Sequence, residues 1–277
     1  MIRLSAFADE ISPDLEEQIA VLHGEGIRWV ELRAAWDTNV LDLSDAQLAR
    51  IRQQFGEEGI GVSVIGSPLG KVPVDVPLEE ELRRQDRAME IAELFGTRLI
   101  RIFSFYPPAA FTEQESTGYR EAVLSKLREM AARAEARGVT LLHENDTDLY
   151  GDTIEHCLDV MNNVPSPRLK AAFDPANFIV SGEVPYPDAY DALHGWVTHV
   201  HVKDALPDRT VVAAGEGVAR WPELLERLRA DGYEGIFSLE PHLVAGGKYG
   251  GFSGPERFRY ASQAFQELLL EMDWKFR

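Results

Sequence analysis

Apolar runs of strand length recur along the chain and alternate with stretches of helical period. Runs near residues 2–7, 28–33, 61–66, 98–104, 139–144, 169–174, 197–202 and 235–240 are rich in consecutive apolar positions, as in strands buried on both faces. Between them the apolar period lengthens toward 3.6. Leu15, Ile19 and Leu22 follow Ser12-Pro13, and Leu48, Ile51 and Phe55 follow Ser44. Val123, Leu127, Met130 and Ala134 form a stripe ended by Gly138, and Leu224, Leu225 and Leu228 one ended by Gly232. Ser12 before Pro13 predicts the cap and first turn of the first helix.

Eight strands with helices between them need crossovers, which implies a parallel sheet. Eight such units in 277 residues fit a closed (β/α)8 TIM barrel of the α/β class better than an open sheet. No Gly-x-Gly-x-x-Gly turn follows the first strand, which argues against a dinucleotide-binding fold. The Pro-rich stretches at 68–77, 106–108 and 165–167 are short and fall where connecting loops belong, so one domain spanning 1–277 is expected.

The two rims of such a barrel differ here. Plain glycine turns at Gly24-Glu25-Gly26, Gly56-Glu57-Glu58-Gly59, Gly96 and Gly138 precede strands. Polar loops follow strands: Asp9-Glu10, Ser67 to Lys71, Ser104 to Pro108, Asn145 to Asp152, Pro175 to Asn177, Lys203 to Gly217 and His242 to Gly254. Chemistry in these barrels sits at the strand carboxyl ends, so the second rim is the candidate site.

Four runs end in side chains that bind metals. They are Val139-Thr-Leu-Leu-His-Glu144, Leu169-Lys-Ala-Ala-Phe-Asp174, Val197-Thr-His-Val-His201 and Gly235-Ile-Phe-Ser-Leu-Glu240. Successive candidates lie about one βα unit apart, roughly 30–40 residues, which makes them equivalent positions on strands five to eight. Three carboxylates and one imidazole suit a hard or borderline cation with water completing an octahedron. Mn²⁺ and Mg²⁺ lead, and Co²⁺ or Zn²⁺ can bind in vitro. Alternation puts His199 and His201 on one face, so spacing does not choose between them.

Charge and composition narrow the partners. Against 28 basic residues stand 46 acidic ones, a formal net charge of −18, and no basic block offsets it. Such a surface repels phosphate backbones, so nucleic acid is not an expected ligand. A single cysteine rules out an internal disulfide and a multi-cysteine zinc site. Acidic residues come too early for a signal peptide, and no run approaches the roughly 18 apolar residues of a membrane span. A soluble, cytoplasmic protein is expected.

The segments His143-Glu-Asn145, Phe173-Asp-Pro-Ala-Asn177, His199-Val-His-Val-Lys-Asp204, Gly215-Glu-Gly217 before Trp221, and Ser238-Leu-Glu-Pro-His242 resemble the xylose isomerase-like TIM-barrel family. That family includes sugar phosphate isomerases and epimerases, ketose 3-epimerases, inosose dehydratases and endonuclease IV. The resemblance implies that Glu144, Asp174, His201 and Glu240 are metal ligands, His201 being selected by its place before the Val-Lys-Asp turn. It further implies that Glu144 and Glu240 act as acid and base on opposite faces of a bound ketose. Related barrels form dimers or tetramers, and a homo-oligomer is the matching expectation. At Asn177 the family often has His, and Asn cannot serve as a strongly metal-binding group.

The chemistry expected is removal of a proton beside a carbonyl through a metal-stabilised enediolate. Return of the proton to the other face epimerises, return to the neighbouring carbon isomerises, and loss of a β-hydroxyl dehydrates. The leading expectation is a sugar or keto-sugar isomerase or epimerase. A dehydratase on the same metal site, an endonuclease-like nuclease and a non-catalytic sugar-binding barrel are the alternatives. Few of the seven histidines lie at strand ends, which weighs against the nuclease.

Secondary candidates surround the ligands. Lys203 can reach substrate oxygens or pair with a carboxylate, Asp204 reads as a turn residue, and Asn177 and His242 can bind substrate or cap loops. His199 and His143 read as packed residues. Arg33 and Arg101 need carboxylate or anionic partners if buried, and Glu31, on the face of Arg33, is the expected partner. Lys71 can meet a carboxylate or phosphate or stay solvated. Trp36, Phe105 and Tyr106 can wall a sugar ring or pack the rim.

Overall fold

In the computed structural model, which describes residues 1–108, 116–244 and 251–276, the eight apolar runs form eight parallel strands. These are β1 (Arg3–Ala6), β2 (Trp29–Leu32), β3 (Gly61–Ile65), β4 (Leu99–Ile102), β5 (Thr140–Glu144), β6 (Leu169–Phe173), β7 (Val197–Val202) and β8 (Ile236–Leu239). They close in the order β1-β8-β7-β6-β5-β4-β3-β2. The expected barrel is present; β7 fills its apolar run, and the other strands are one to three residues shorter than theirs.

Helices cover the outside: α1 (Leu15–Gly24), α2 (Asp45–Glu57), α3 (Leu78–Phe95), α4 (Ser116–Ala136), α5 (Ile154–Asn163), α6 (Pro175–Val180), α7 (Tyr190–Leu193), α8 (Trp221–Ala230) and α9 (Pro255–Glu271). The main apolar core lies between them and the strands, with Phe55, Phe173, Phe237 and Trp221 fully enclosed. Inside the barrel a smaller apolar layer of Val64, Leu142, Ala172 and Ile236 forms a separate cluster. Alternation then puts Glu144, Asp174 and Glu240, two residues on from Leu142, Ala172 and near Ser238 above Ile236, on the same inward face.

Ser44 caps α2 in a reciprocal box with Gln47, as its sequence position suggests. The first helix departs from expectation. Its cap is Asp14, whose carboxylate accepts the Glu17 N–H at 3.0 Å, while Ser12 Oγ accepts the Asp14 N–H at 3.1 Å. A carboxylate aimed at the first turn also meets the positive helix end, so α1 starts two residues later and Pro13 precedes it. No helix among the described residues is long and apolar enough to cross a membrane.

Cys157 on α5 is buried, with its Sγ donating to the Gly151 carbonyl at 3.4 Å. Burial pushes its thiol well above the ordinary cysteine range, and a protonated, enclosed thiol is inert. Ellman's reagent should therefore leave the native protein unlabelled and react stoichiometrically after guanidinium unfolding. Rapid labelling of the native state would contradict this burial.

Candidate metal centre

The strand ends bring the four expected ligands together. Glu144 closes β5, Asp174 follows β6, His201 lies within β7, and Glu240 follows β8. One donor atom from each lies within 4.8 Å of all the others, and every one of the four side chains is buried. His201 Nδ1 is the hub: Glu144 Oε1 is 3.1 Å away, Glu240 Oε2 3.5 Å and Asp174 Oδ2 3.7 Å. Ligands about 2.1 Å from one octahedral ion stand roughly 3.0 Å apart when adjacent and 4.2 Å when opposite. The donor set and its spacing fit a divalent cation.

Each carboxylate divides its oxygens between that hub and a second partner. Glu144 Oε2 is 3.1 Å from Arg101 Nη1. Glu240 Oε1 accepts from Arg33 Nη1 at 3.0 Å, with Arg101 Nη1 at 3.8 Å. Asp174 Oδ1 accepts the Asn177 N–H at 2.9 Å and so caps α6. Lys203 Nζ sits 2.8 Å from Asp174 Oδ2 and 3.1 Å from Glu240 Oε2. Lys203 thus contacts two of the hub-facing oxygens, and a cation held there would share them with this ammonium.

The electrostatics follow from burial and these pairs. Burial alone would raise the Glu240 carboxyl, but cations led by the Lys203 ammonium hold it well below its usual range. Burial opposes the charge on Lys203 too, yet Asp174 and Glu240 outweigh it and lift the ammonium above its ordinary value. For His201, burial is outweighed by Glu144 and Glu31, and its pKa lies well above that of a free imidazole. Burial pushes Glu10 up to about 7 against the pull of Arg33.

Arg33 does not pair with Glu31. Its Nε donates to Asp9 Oδ2 at 2.7 Å and its Nη2 to Glu10 Oε1 at 3.3 Å, in addition to Glu240. Glu31 instead meets His199 Nε2 at 2.7 Å and His201 Nε2 at 3.4 Å. Both residues point into the barrel as alternation requires, but they occupy different layers. Arg33 reaches up to the loop carboxylates, and Glu31 lies lower beside the histidines. A register shift between Val30 and Glu31 in the β2–β3 pairing accompanies this, as bulges re-aim side chains. Gly66 makes room for both: a Cβ there would lie 3.2 Å from Arg33 Cβ and 3.3 Å from Glu31 Cγ.

Other expected residues divide in the same way. His199 is enclosed and hydrogen-bonded one layer below the hub. His143 faces outward into the core, where burial takes its pKa down to about 4. Asn177 donates from Nδ2 to the Asn145 carbonyl at 2.9 Å and lies 3.4 Å from Glu144 Oε1, so it caps the loop and touches the site. His242 donates its backbone N–H to Glu10 Oε2 and sets its Nδ1 3.1 Å from the Glu240 carbonyl. Lys71 is half-buried and meets a carboxylate, with Nζ 2.5 Å from Asp146 Oδ2. Phe105 is fully buried and cannot wall a ligand, while Trp36 and Tyr106 are half-buried. The loop from His242 to Gly254 is described only at its ends; 245–250 lie outside the described residues.

Phe7 belongs to the site although nothing in the sequence marks it. Its ring meets His201 edge-on at 5.2 Å and carries the Arg33 and Arg101 guanidinium groups at 4.7 and 5.0 Å. A lone Phe just past a strand end gives no signal of this; only closure of β1 against β2 and β8 brings it under two arginines.

The chain is similar to known proteins in sequence and in fold. A D-psicose 3-epimerase of Enterocloster bolteae is 25% identical over 216 residues, covering 74% of this chain and 69% of its own. The probable 3-DHS dehydratase involved in petrobactin synthesis in Bacillus anthracis superposes with TM-score 0.73 at 18% identity, over 96% of this chain and 99% of its own. A xylose isomerase-like TIM barrel protein of Mycobacterium smegmatis, solved in complex with magnesium, superposes with TM-score 0.71 at 17% identity, over 98% and 96%. At those identities the two structures speak for the fold alone. A family model described as xylose isomerase-like TIM barrel matches residues 19–267. The closed barrel and that match over most of its length establish that this chain belongs to the xylose isomerase-like TIM barrel family.

Proposed function

We propose that the protein is a divalent-metal-dependent epimerase or isomerase of a sugar or keto-sugar. The observation that carries the reading is the ring of Glu144, Asp174 and Glu240 oxygens around His201 Nδ1. Glu144, Asp174, His201 and Glu240 would hold the cation, with Mn²⁺ or Mg²⁺ as the favoured ions for an oxygen-rich set. When bound, it supplies Lewis-acid stabilisation of negative charge beside a carbonyl. The D-psicose 3-epimerase relative supports a carbohydrate substrate.

The protein's own groups do the rest. Glu144 and Glu240 reach the hub from β5 and β8, and the family resemblance implies that they act on opposite faces of a bound ketose. One takes the proton and the other returns it. Arg101 and Arg33 fix the outer oxygens of these two Glu, which sets their orientation. Lys203 brings N–H donors to the same floor and can hydrogen-bond a substrate oxygen. Asn177, beside Glu144, can hydrogen-bond a hydroxyl, and His242 and Lys71 belong to the loops that frame the entrance.

A second outcome has one observation in its favour. The buried Lys203 ammonium would stabilise a hydroxyl leaving from the carbon next to the deprotonated one, which gives dehydration. Solvent deuterium exchange followed by NMR tests both, using Mn²⁺-loaded protein and a panel of ketoses, inososes and 3-keto acids and sugars, with products read after chelation. Metal-dependent exchange beside a carbonyl is expected, and the products separate epimer, isomer and dehydrated species. A protein that binds no divalent cation would refute the reading.

A further inference from the structure

We propose that Glu31 is a positioning residue of the metal centre: it accepts the Nε2–H of His201 and so holds that imidazole with its bare Nδ1 toward the cation. The proposal rests on the reading of His201 as a ligand. It concerns a residue one layer below the four ligands, which neither touches substrate nor supplies a donor to the ion.

The geometry carries it. Glu31 Oε2 lies 3.4 Å from His201 Nε2, on the opposite side of the ring from Nδ1 and its three carboxylate oxygens. The same oxygen is 2.7 Å from His199 Nε2. Glu31, His199 and His201 are all completely buried. A carboxylate in such a place needs N–H donors around it: His199 Nε2 supplies one at hydrogen-bond distance, and His201 Nε2 faces the same oxygen at 3.4 Å without meeting hydrogen-bond geometry in this structure. With a cation on Nδ1, His201 would carry its one proton on Nε2, facing Glu31. A ligating histidine commonly gives its other N–H to a carboxylate in this way, which orients the ring and raises its basicity.

His199 is the second anchor. Its ring stands perpendicular to that of His201 with centroids 4.9 Å apart, and its short bond to Glu31 keeps the carboxylate from swinging away. Phe7, edge-on to His201 at 5.2 Å, closes another side. The Glu31–His199–His201 group could itself be taken for a second cation site. The 2.7 Å between Glu31 Oε2 and His199 Nε2 argues otherwise, because two ligands of one ion about 2.1 Å away stand roughly 3.0 Å apart or more. That distance is a hydrogen bond.

Mn²⁺ titration followed by water-proton relaxation tests the role without any substrate. Glu31→Gln keeps the shape but offers only a neutral amide oxygen, and its Mn²⁺ affinity should fall by about 10–100-fold. Ser238→Ala is the control. Ser238 pairs in register with His201 and its buried Oγ has no hydrogen-bond partner among the described residues, so its removal should leave Mn²⁺ affinity unchanged. A folded Glu31→Gln variant that binds Mn²⁺ like the wild type overturns the proposal. Long-range ¹H–¹⁵N NMR on Zn²⁺-loaded wild-type protein gives an answer even if the variant fails to fold. A proton on His201 Nε2 and none on Nδ1 supports it, and the reverse overturns it. Wild-type protein that takes up neither ion overturns the metal centre as well, which separates the two failures.

Discussion

Glu240→Gln is expected to abolish turnover and to weaken the protein at the same time. Glu240 is the most heavily shared carboxylate of the site: Oε1 accepts from Arg33 at 3.0 Å, and Oε2 accepts from Lys203 at 3.1 Å while facing His201 at 3.5 Å. An amide there can neither take a proton from carbon nor ligate a cation well. Loss of a positioned acid–base group alone costs about 10²–10⁴-fold in rate, and a weakened metal centre adds to it. The amide also leaves two buried cations short of one negative charge. Removing one partner of a buried ion pair costs about 3–5 kcal/mol, and the remaining carboxylates around Arg33 and Lys203 place this case at the lower end. Urea unfolding of the metal-free variant, beside deuterium exchange on any active substrate, measures both. Wild-type exchange rates in Glu240→Gln would remove Glu240 from the chemistry.

Asp204→Ala is expected to lower stability by a similar amount without touching the ligands. Asp204 follows β7, and its carboxylate accepts backbone N–H groups from Ala205 at 2.8 Å, Ala219 at 3.0 Å, and Gly215 and Gly217 at 3.1 Å. One side chain thereby organises the loop that returns from the rim to α8. Hydrogen bonds to a charged group contribute about 1.5–3 kcal/mol each. Their loss is not additive, because water reaches part of the loop, and a total of about 3–5 kcal/mol is expected. Gly217 explains why the cradle closes so tightly: a Cβ there would lie 2.2 Å from Asp204 Oδ1 and 2.3 Å from the Ala205 carbonyl. A shift in the urea midpoint with little change in slope is the expected signature. A variant as stable as the wild type would mean that the loop is held by other contacts.

These two residues mark different degrees of legibility. Glu240 ends an apolar run and stands in step with Glu144, Asp174 and His201, so repetition reveals it. Asp204 reads only as a turn residue, because its four acceptor contacts link positions up to fifteen residues away. The first-helix cap lies at Asp14 and not at Ser12 for a local reason: both residues satisfy the cap pattern and only backbone geometry chooses. For Phe105 the sequence leaves a ligand wall and packing both open, because an aromatic residue beside Tyr106 fits either; full burial of its ring decides for packing.

What the sequence determined by itself was the periodic part of the protein. Runs of buried-strand length, helical stripes and glycine turns impose a parallel barrel, because strands apolar on both faces must be covered by helices. Strand equivalence then assigns four ligand candidates to one rim. What only the tertiary structure decided was which charge answers which. Arg33 and Glu31 are two residues apart on one face, and their expected mutual bond is replaced by partners from β1, β7 and β8. Barrel closure sets those partners at short range across a low-dielectric interior, where every buried charge must be matched in place. Sequence spacing carries no information about that matching, because it depends on strands that meet only when the sheet closes.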